Sequence, residues 1–256
     1  GSEMCIRDRF GAVAKSYLCE KLNVKPENMC VVSVMPCVAK KFESARPELK
    51  KDGHSDVDIV ITTRELGAMI KEAGIDFAGL EDQEFDNPLG ESTGAGAIFG
   101  ATGGVIEATV RTAYETITGQ ELNEIEFTDL RGFDGIKETT VKIGDHDVRI
   151  AVANGLGNTR KLLNKVRSGE EKFDAIEVMA CPGGCIGGGG QPYHHGDISV
   201  LKRRAEGIYS VDKGKKLRKS HENPQVKKLY EDYLGEVGGP LAHELLHTSY
   251  EAKPKL

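Results

Sequence analysis

The segment Met179-Ala180-Cys181-Pro182-Gly183-Gly184-Cys185-Ile186-Gly187-Gly188-Gly189-Gly190-Gln191-Pro192 places two cysteines inside a glycine-dense loop. The apolar run from Ile176 to Met179 predicts a short buried strand that ends where the cysteines begin. Because glycines lack Cβ atoms, the backbone there can fold tightly around a bulky inorganic ligand and turn its amide groups toward anionic sulfur. The segment therefore predicts a metal site at the end of a strand.

A third cysteine follows another predicted strand. Met29 to Val34 is a β-branched apolar run typical of a central parallel strand, and Met35-Pro36-Cys37-Val38-Ala39-Lys40-Lys41-Phe42-Glu43 comes directly after it. Open α/β sheets bind ligands at the carboxyl ends of their strands. We expect Pro36 to end the strand and Cys37 to open the next helix, whose N-terminus would favour a thiolate.

The rest of the chain alternates between strand and helix patterns. Strands are predicted over 56–62, 124–130, 139–143, 147–152 and 175–179, and helices over 64–73, with Thr63 as its cap, 106–118 and 160–167. Further helices are predicted from Phe10 and over 226–234 and 241–247. The pattern predicts an α/β fold with two lobes of mostly parallel sheet flanked by helices, the metal site in the cleft between them, and a helical C-terminal tail.

The composition bounds the function. The chain has 256 residues, 39% of them apolar, and a net charge of −6, which argues against a general nucleic-acid binder. No apolar run approaches the roughly 18 residues of a membrane span, and the start does not read as a secretory signal. Six cysteines are too sparse for a disulfide scaffold, so we expect a reducing compartment, the cytoplasm.

Three cysteines form the candidate ligand set: Cys37, Cys181 and Cys185. Scattered thiolates select zinc or an iron–sulfur cluster, and zinc would require a fourth ligand in compact paired spacing. The pattern therefore favours an iron–sulfur cluster. Cys19 and Cys30 lack glycine loops and are better explained as small core hydrophobes.

Three other segments leave alternatives open. The glycines between 94 and 108 indicate either close approach of backbone to another surface or a tight helix-packing seam. Residues 202 to 219 contain eight Lys or Arg against two acids, which favours a solvated face over a docking patch for an acidic electron carrier. His243-Glu244-Leu245-Leu246-His247 matches the zinc-peptidase pattern H-E-x-x-H, but few residues remain to supply a third ligand.

Together these motifs resemble the iron-only (FeFe) hydrogenases. Met35-Pro36-Cys37-x-x-Lys40-x-x-Glu43 is similar to the second signature of that family, and Glu177-x-Met179-Ala180-Cys181-x-x-Gly184-Cys185 with the following glycines is similar to the third. The resemblance runs from about Phe10 to Tyr250, includes the 94–108 glycine segment, and extends over the H-E-x-x-H helix. It therefore removes most support for the peptidase.

The resemblance implies an H-cluster, a 4Fe-4S cubane joined through a cysteine sulfur to a two-iron unit with CO, cyanide and azadithiolate ligands. Cys37, Cys181 and Cys185 would be its metal ligands, with Cys185 as the bridge, and Lys40 would donate a hydrogen bond to a cyanide. Glu43 would have a polar or proton-handling role. The pocket would be lined by Met35, Pro36, Phe99, Gly100, Val105 and Met179.

The resemblance also implies a reaction and its partners. The reaction would be the reversible oxidation of H2, with ferredoxin or NAD-linked subunits as electron carriers and with hydrogenase maturation proteins supplying the two-iron unit. A non-catalytic relative that serves iron–sulfur assembly or sensing is the alternative, and the zinc peptidase is a remote one.

The family's first signature, a cysteine pair followed by a tryptophan, is absent from this sequence, which has no Trp. We therefore expect an incomplete catalytic domain over residues 10–200, a C-terminal helical extension over 201–256, and poor hydrogenase activity from this polypeptide alone. Residues 1–9 lack periodicity and are predicted to be a non-native segment.

Overall fold

The computed structural model describes residues 6–51 and 53–249, with side chains from Arg9 onward. The chain forms two contact units. Unit 1 combines the described residues of 1–90 with those of 224–256, and unit 2 is the continuous stretch Glu91–Asn223. The predicted α/β class is confirmed, because both units contain parallel strand pairs with helices between the strands.

The strands of the described chain are β1 (Val32–Met35), β2 (Lys50–Lys51), β3 (His54–Ser55), β4 (Ile59–Thr62), β5 (Ile136–Ile143), β6 (His146–Asn154) and β7 (Ala175–Met179). The α-helices are α1 (Ile6–Val13), α2 (Cys19–Leu22), α3 (Ala39–Ser44), α4 (Thr63–Glu72), α5 (Gly94–Ile98), α6 (Gly104–Thr118), α7 (Leu156–Ser168), α8 (Ile198–Gly214), α9 (Pro224–Leu229) and α10 (Pro240–Leu246). Two π-helical segments continue α1 and α9, over Ala14–Leu18 and Tyr230–Leu234. Short 3-10 helices lie at Pro26–Asn28, Pro47–Leu49, Phe77–Gly79, Thr128–Leu130, Cys185–Gly187 and Ser220–Glu222.

Unit 1 is built on the parallel pair β1 and β4. Asp58 stabilises the segments that precede both strands. Its carboxylate accepts hydrogen bonds from the Val31 N–H at 2.8 Å and from the Lys15 ammonium at 2.6 Å. The N-terminal and C-terminal helices of the unit share a small core of Ala12, Leu234, Ala242 and Leu245. A segment from the end of the chain thus completes the core of its beginning.

Unit 2 is a three-layer arrangement around the sheet β5-β6-β7. β5 and β6 are antiparallel and β6 and β7 are parallel, so the sheet of this unit is mixed. The cluster Ile106, Val110, Leu130, Ile150 and Val152 joins α6 to one face of the sheet. Leu162 of α7 packs on Ala151 and Ala153 of the opposite face, because side chains alternate along β6.

A buried ion network stabilises the outer side of α6. Arg111 is fully buried, and its guanidinium donates to Glu107 one turn earlier at 2.7 Å and to both carboxylate oxygens of Asp212 in α8 at 2.9 Å. Arg131 and Arg218 supply further cations, to Glu107 and Asp212 respectively. Buried charges persist only when they are paired in this way.

Several predicted elements differ from the structure. Residues 124–130 form no strand, because the Ile125 carbonyl accepts from Arg111 and the Glu126 carboxylate pairs with arginines, which leaves only a 3-10 turn at the end. The cap of α4 is Thr62 rather than Thr63, in a capping box with Glu65. Sequence reasoning missed α8, whose apolar residues are diluted by charges.

The predicted start of the first helix also differs from the structure. α1 begins at Ile6 rather than Phe10, and the Arg9 guanidinium donates to the Leu245 carbonyl at 3.1 Å. Residues 1–5 lie outside the described part of the chain, so the non-native origin of residues 1–9 stays a prediction. The predicted domain boundary near residue 200 also stays a prediction. Across the described residues, none of the helices has the length and apolarity needed to span a membrane.

Candidate metal centre

The Cys37 loop joins β1 to α3. β1 ends at Met35, because Pro36 has no N–H with which to continue the ladder of hydrogen bonds. The helix begins at Ala39 with Val38 as its cap, so the expectation that Cys37 opens the helix is wrong. Cys37 therefore lies in the loop before the helix, and its thiol is half-buried there.

Lys40 and Glu43 lie on the same side of α3. Their side chains form an ion pair, with 2.5 Å between Lys40 Nζ and Glu43 Oε2, and they are only 20% and 16% exposed. An ammonium has three N–H donors, so this bond leaves donors for a second anion. Met35, Pro36, Cys37, Lys40 and Glu43 are therefore brought together in unit 1 by one strand–loop–helix segment.

The loop that carries Cys181 and Cys185 begins at the end of β7 in unit 2. The Gly155 N–H donates to the carbonyl of Met179 at 2.7 Å, and the Gly184 N–H donates to the carbonyl of Cys181 at 3.0 Å. The chain then enters the 3-10 helix that starts at Cys185. Both thiols are half-buried, and a tight turn of glycines separates them.

Glycine is required twice within this turn. Gly183 and Gly184 have φ values of +80° and +93°, a region that other residues rarely adopt. A Cβ on Gly184 would lie 2.7 Å from the Thr102 nitrogen and 2.8 Å from the Gly100 oxygen, and one on Gly183 would meet the Phe133 ring. At Gly184 the backbone of the neighbouring turn approaches too closely for any side chain.

The turn between α5 and α6 is bonded to the Cys181–Cys185 loop, and the two segments together form what we call the cradle. The Thr102 N–H donates to the Gly183 carbonyl at 3.0 Å, and the Ile186 N–H donates to the Gly100 carbonyl at 3.1 Å. From the sheet, Asn154 Oδ1 accepts from the Gly183 N–H at 3.0 Å. Of the two interpretations of the 94–108 glycines, close approach to another backbone applies at Gly103, where a Cβ would lie 1.9 Å from the Leu130 carbonyl oxygen.

The helix-seam interpretation applies nearby. A Cβ on Gly94 would meet the Asp212 carboxylate of α8, and one on Gly104 would lie 1.8 Å from the Ile98 carbonyl oxygen. Both interpretations that the sequence left open are therefore correct, at different glycines of the same segment.

Glu177 of β7 joins the strand to α6. Its carboxylate is buried and accepts from the Gly103 N–H at 2.6 Å and the Ile106 N–H at 2.8 Å. Burial raises the pKa of Glu177, although these backbone bonds lower it. The burial of this strand therefore differs from a simple apolar pattern. The charged Glu177 is buried, whereas the apolar Val178 is 43% exposed.

Arg204 of α8 is a further residue that sequence reasoning missed. Its guanidinium donates at 2.8 Å to the carbonyl of Ile186 and at 2.8 Å to the carbonyl of Pro192, so it bridges the glycine run. The basic stretch containing it was expected to be a solvated face. Arg204, Arg218 and Lys219 are instead engaged in contacts inside unit 2.

The remaining predicted pocket residues in unit 2 lie near the same turn. Phe99 and Gly100 end α5, Val105 lies in the first turn of α6, and Met179 ends β7. The Phe99 ring also lines an apolar groove of about 510 Å³ beside Ala108 and Thr112. Their role in lining a cofactor pocket stays a prediction.

The residues present fit an iron–sulfur cluster. Cys181 and Cys185 offer soft thiolate ligands across a cradle in which backbone replaces side chains. The hydroxyl of Thr102, which is 3% exposed, has no hydrogen-bond partner among the described residues, so the cradle contains an unused donor. A bulky group with sulfur acceptors suits both features.

The H-E-x-x-H segment does not form a comparable centre. α10 ends at Leu246, so His247 lies beyond the helix, and its ring stacks on that of His243 at 4.7 Å. Glu244 pairs with Lys51 at 2.6 Å. Within the part of the chain that the structure describes, the two histidines have no third ligand beside them.

Fold and cysteine loops together define an iron–sulfur protein of α/β type, and comparison with known proteins identifies its family. Residues 6–189 match the family described as iron only hydrogenase large subunit, C-terminal domain, and residues 198–253 match iron hydrogenase small subunit. The chain belongs to the iron-only hydrogenase family.

Individual relatives agree with this assignment. The chain is 58% identical over 247 residues to NADP-reducing hydrogenase subunit HndD of Solidesulfovibrio fructosivorans, covering 96% of this chain and 42% of that protein. The solved structure of apo [FeFe]-hydrogenase HydA1 from Chlamydomonas reinhardtii matches with a TM-score of 0.81 and 42% identity, over 95% of this chain and 68% of that one.

A more distant relative has a different role. Cytosolic Fe-S cluster assembly factor narfl of Xenopus tropicalis is 31% identical over 253 residues, which is 96% of this chain and 52% of that protein. The chain spans about half the length of the curated relatives it matches.

Proposed function

We propose that this chain forms part of the catalytic domain of an FeFe hydrogenase and interconverts H2 with two protons and two electrons at an H-cluster. The observation that carries the proposal is the backbone cradle around Cys181 and Cys185, in which Gly184 touches the Gly100–Thr102 turn. The cradle joins the third signature to the glycine segment of the same family.

Named residues have separate tasks in this proposal. Cys37, Cys181 and Cys185 would hold the cubane through their thiolates, and Cys185 would be the ligand shared with the two-iron unit. When bound, the H-cluster supplies the redox chemistry and the site at which H2 is split or formed. Met35, Pro36, Phe99, Gly100, Val105 and Met179 exclude water from the pocket.

Lys40 and Glu43 supply charge and proton chemistry. Lys40 provides a charge-assisted donor for a cyanide ligand, and its partner Glu43 orients that ammonium through the 2.5 Å ion pair. Glu43 also offers a carboxylate that can accept or release a proton beside the pocket. We assign both to the reacting site on these grounds.

The partners follow from the reaction. Two electrons per H2 require a carrier, for which ferredoxin or an NAD-linked subunit is proposed, and the two-iron unit requires maturation proteins. We propose the cytoplasm as the location, since the cysteines are expected to act as reduced thiols.

Anaerobic reconstitution tests cluster binding. The chain is incubated with ferrous iron, sulfide and excess dithiothreitol, and protein-bound iron and visible absorption are measured. Changing Cys37, Cys181 or Cys185 to Ser should abolish or halve iron uptake, whereas Cys19→Ser and Cys30→Ser should leave it unchanged. Equal uptake in all five variants would refute the ligand assignment.

Infrared spectroscopy separates the hydrogenase from the assembly or sensing alternative. After treatment with maturation proteins, a hydrogenase site should show CO and cyanide bands. A loaded cubane without those bands, in the chain joined to the rest of its catalytic domain, would favour the non-catalytic alternative.

A further inference from the structure

The hydroxyl of Thr102 is the unusual group of the cradle. The residue is 3% exposed, and its Oγ1 has no hydrogen-bond partner within the described residues. Burying a hydroxyl without a partner costs stability, and buried polar groups in folded proteins are almost always bonded. Thr102 therefore calls for an acceptor or donor that the polypeptide does not supply.

Neighbouring threonines show that this is not a general property of the region. Thr109 Oγ1 donates to the Val105 carbonyl at 2.8 Å, and Thr159 Oγ1 donates to the Gly155 carbonyl at 3.0 Å, each four residues back along a helix. Thr102 lies in the turn before α6, and the carbonyl four residues before it, that of Ile98, already accepts from the Ala101 N–H.

The position of Thr102 indicates what the missing partner is. Its N–H bonds to the Gly183 carbonyl at 3.0 Å, and its nitrogen would lie 2.7 Å from a Cβ on Gly184. Gly183 and Gly184 are the residues that immediately precede Cys185 in the Cys181–Cys185 turn. The residue with the unused hydroxyl is thus bonded through its backbone to the turn that carries the two predicted thiolate ligands of unit 2.

We infer that Thr102 Oγ1 donates a hydrogen bond to a sulfur atom of the cluster held by Cys181 and Cys185, either a cysteine thiolate or an inorganic sulfide. The inference rests on the proposed function. A donor at sulfur stabilises the more negative, reduced cluster, so Thr102 raises its reduction potential.

Thr102→Val removes the hydroxyl while keeping the shape of the side chain. In the reconstituted chain, the ratio of reduced to oxidised cluster at a fixed potential should fall about tenfold, which is about 59 mV for a one-electron couple. Thr102→Ser retains the donor and should restore most of the ratio. Thr109→Val, which removes a hydroxyl already bonded to backbone, should not change it.

A second measurement needs no cluster. In the iron-free chain the Thr102 hydroxyl is unpaired, so Thr102→Val should unfold at the same or a higher denaturant concentration than the unvaried chain. A clearly lower midpoint would show that the hydroxyl has a protein partner and would overturn the inference.

A failure of the proposed function can be distinguished from a failure of the inference about Thr102. If the unvaried chain binds no iron, the proposed function fails and this inference fails with it. If Thr102→Val binds iron as well as the unvaried chain and has the same reduction potential, the inference about Thr102 fails while the proposed function stands.

Discussion

The Cys37 loop and the Cys181–Cys185 loop both follow a parallel strand, but the chain supports them in different ways. Three residues connect β1 to α3 around Cys37, and the adjacent Lys40–Glu43 pair is local to one short helix. The second loop is held by Asn154, by the Gly100–Thr102 turn and by Arg204. The Cys181–Cys185 loop is therefore held by several distant segments, whereas the Cys37 loop is a short connection between a strand and a helix.

This difference teaches where the geometry of a metal site originates. The Cys181–Cys185 loop is shaped by contacts that exist without a metal, so much of its ordering cost is met on folding. Among the described residues of unit 1, the Cys37 loop has fewer such contacts. Substitutions should therefore affect folding strongly around the second loop and weakly around the first.

The largest expected effect comes from the network behind α6, which supports the cradle. Arg111→Met leaves Glu107 and Asp212 short of a cation in a fully buried site, and it should reduce the free energy of unfolding by about 3 to 5 kcal/mol. Urea unfolding followed by circular dichroism measures this. Arg149→Met, which breaks ion pairs of a 40% exposed arginine, should cost about 1 kcal/mol or less.

Gly184→Ala tests the cradle itself. The new Cβ would clash with backbone atoms of Gly100 and Thr102 at a φ of +93°, so we expect a loss of about 2 to 4 kcal/mol. Gly196→Ala is the matched control, because Gly196 has a φ of +82° but open space around it. Equal losses in the two variants would show that the close approach at Gly184 has no energetic weight.

Glu115, further along α6, should make the free energy of unfolding depend on pH, with an effect of intermediate size. Burial acts to raise its pKa, but bonds from the Leu122 N–H, Lys219 and His221 lower it to about 2. Since the pKa in the unfolded chain is about 4.3, its contribution is complete above that value and is lost as the pH falls toward 2.

Glu115→Gln should therefore flatten the dependence of unfolding free energy on pH between about 4.3 and 2. Lys219→Met should flatten it as well, because the 8% exposed ammonium contacts Glu115 at 2.6 Å. Chemical denaturation at several pH values measures the slope, and an unchanged slope in both variants would contradict the assignment.

The smallest effect is expected at the first loop. Lys40→Gln removes one end of the ion pair with Glu43 and should change the unfolding free energy by less than about 1 kcal/mol. Lys41→Gln, which breaks the neighbouring pair with Glu65, is the control on the same helix. A loss near that of Gly184→Ala would remove the contrast between the loops.

Local patterns predicted much of the fold. The apolar periodicity of α6 and α7 and the β-branched runs of β1 and β4 identified elements whose own residues determine their structure. Cysteines at the ends of predicted strands identified both loops, and the glycine run further marked the Cys181–Cys185 loop. The family resemblance, confirmed by comparison, supplied the rest of the proposed chemistry.

Long-range polar contacts could not be predicted. The segment 124–130 reads as a strand, yet its polar groups bond to arginines from elsewhere in the chain, and no local pattern encodes that choice. Arg204 belongs to a basic run, and only the fold reveals its two carbonyl partners. The inward position of Glu177 likewise depends on the Gly103 and Ile106 N–H groups of another segment.

The pairing of Arg111 with Asp212 has a consequence for how the protein is synthesised. The two residues are 101 positions apart, so at about 5 to 20 residues per second the ribosome delivers Asp212 some 5 to 20 s after Arg111. Until then the helix carries a cation that it cannot bury at low cost. The ion pair can form only after α8 has left the exit tunnel, and a nascent chain that stalls before that point should stay a client of chaperones.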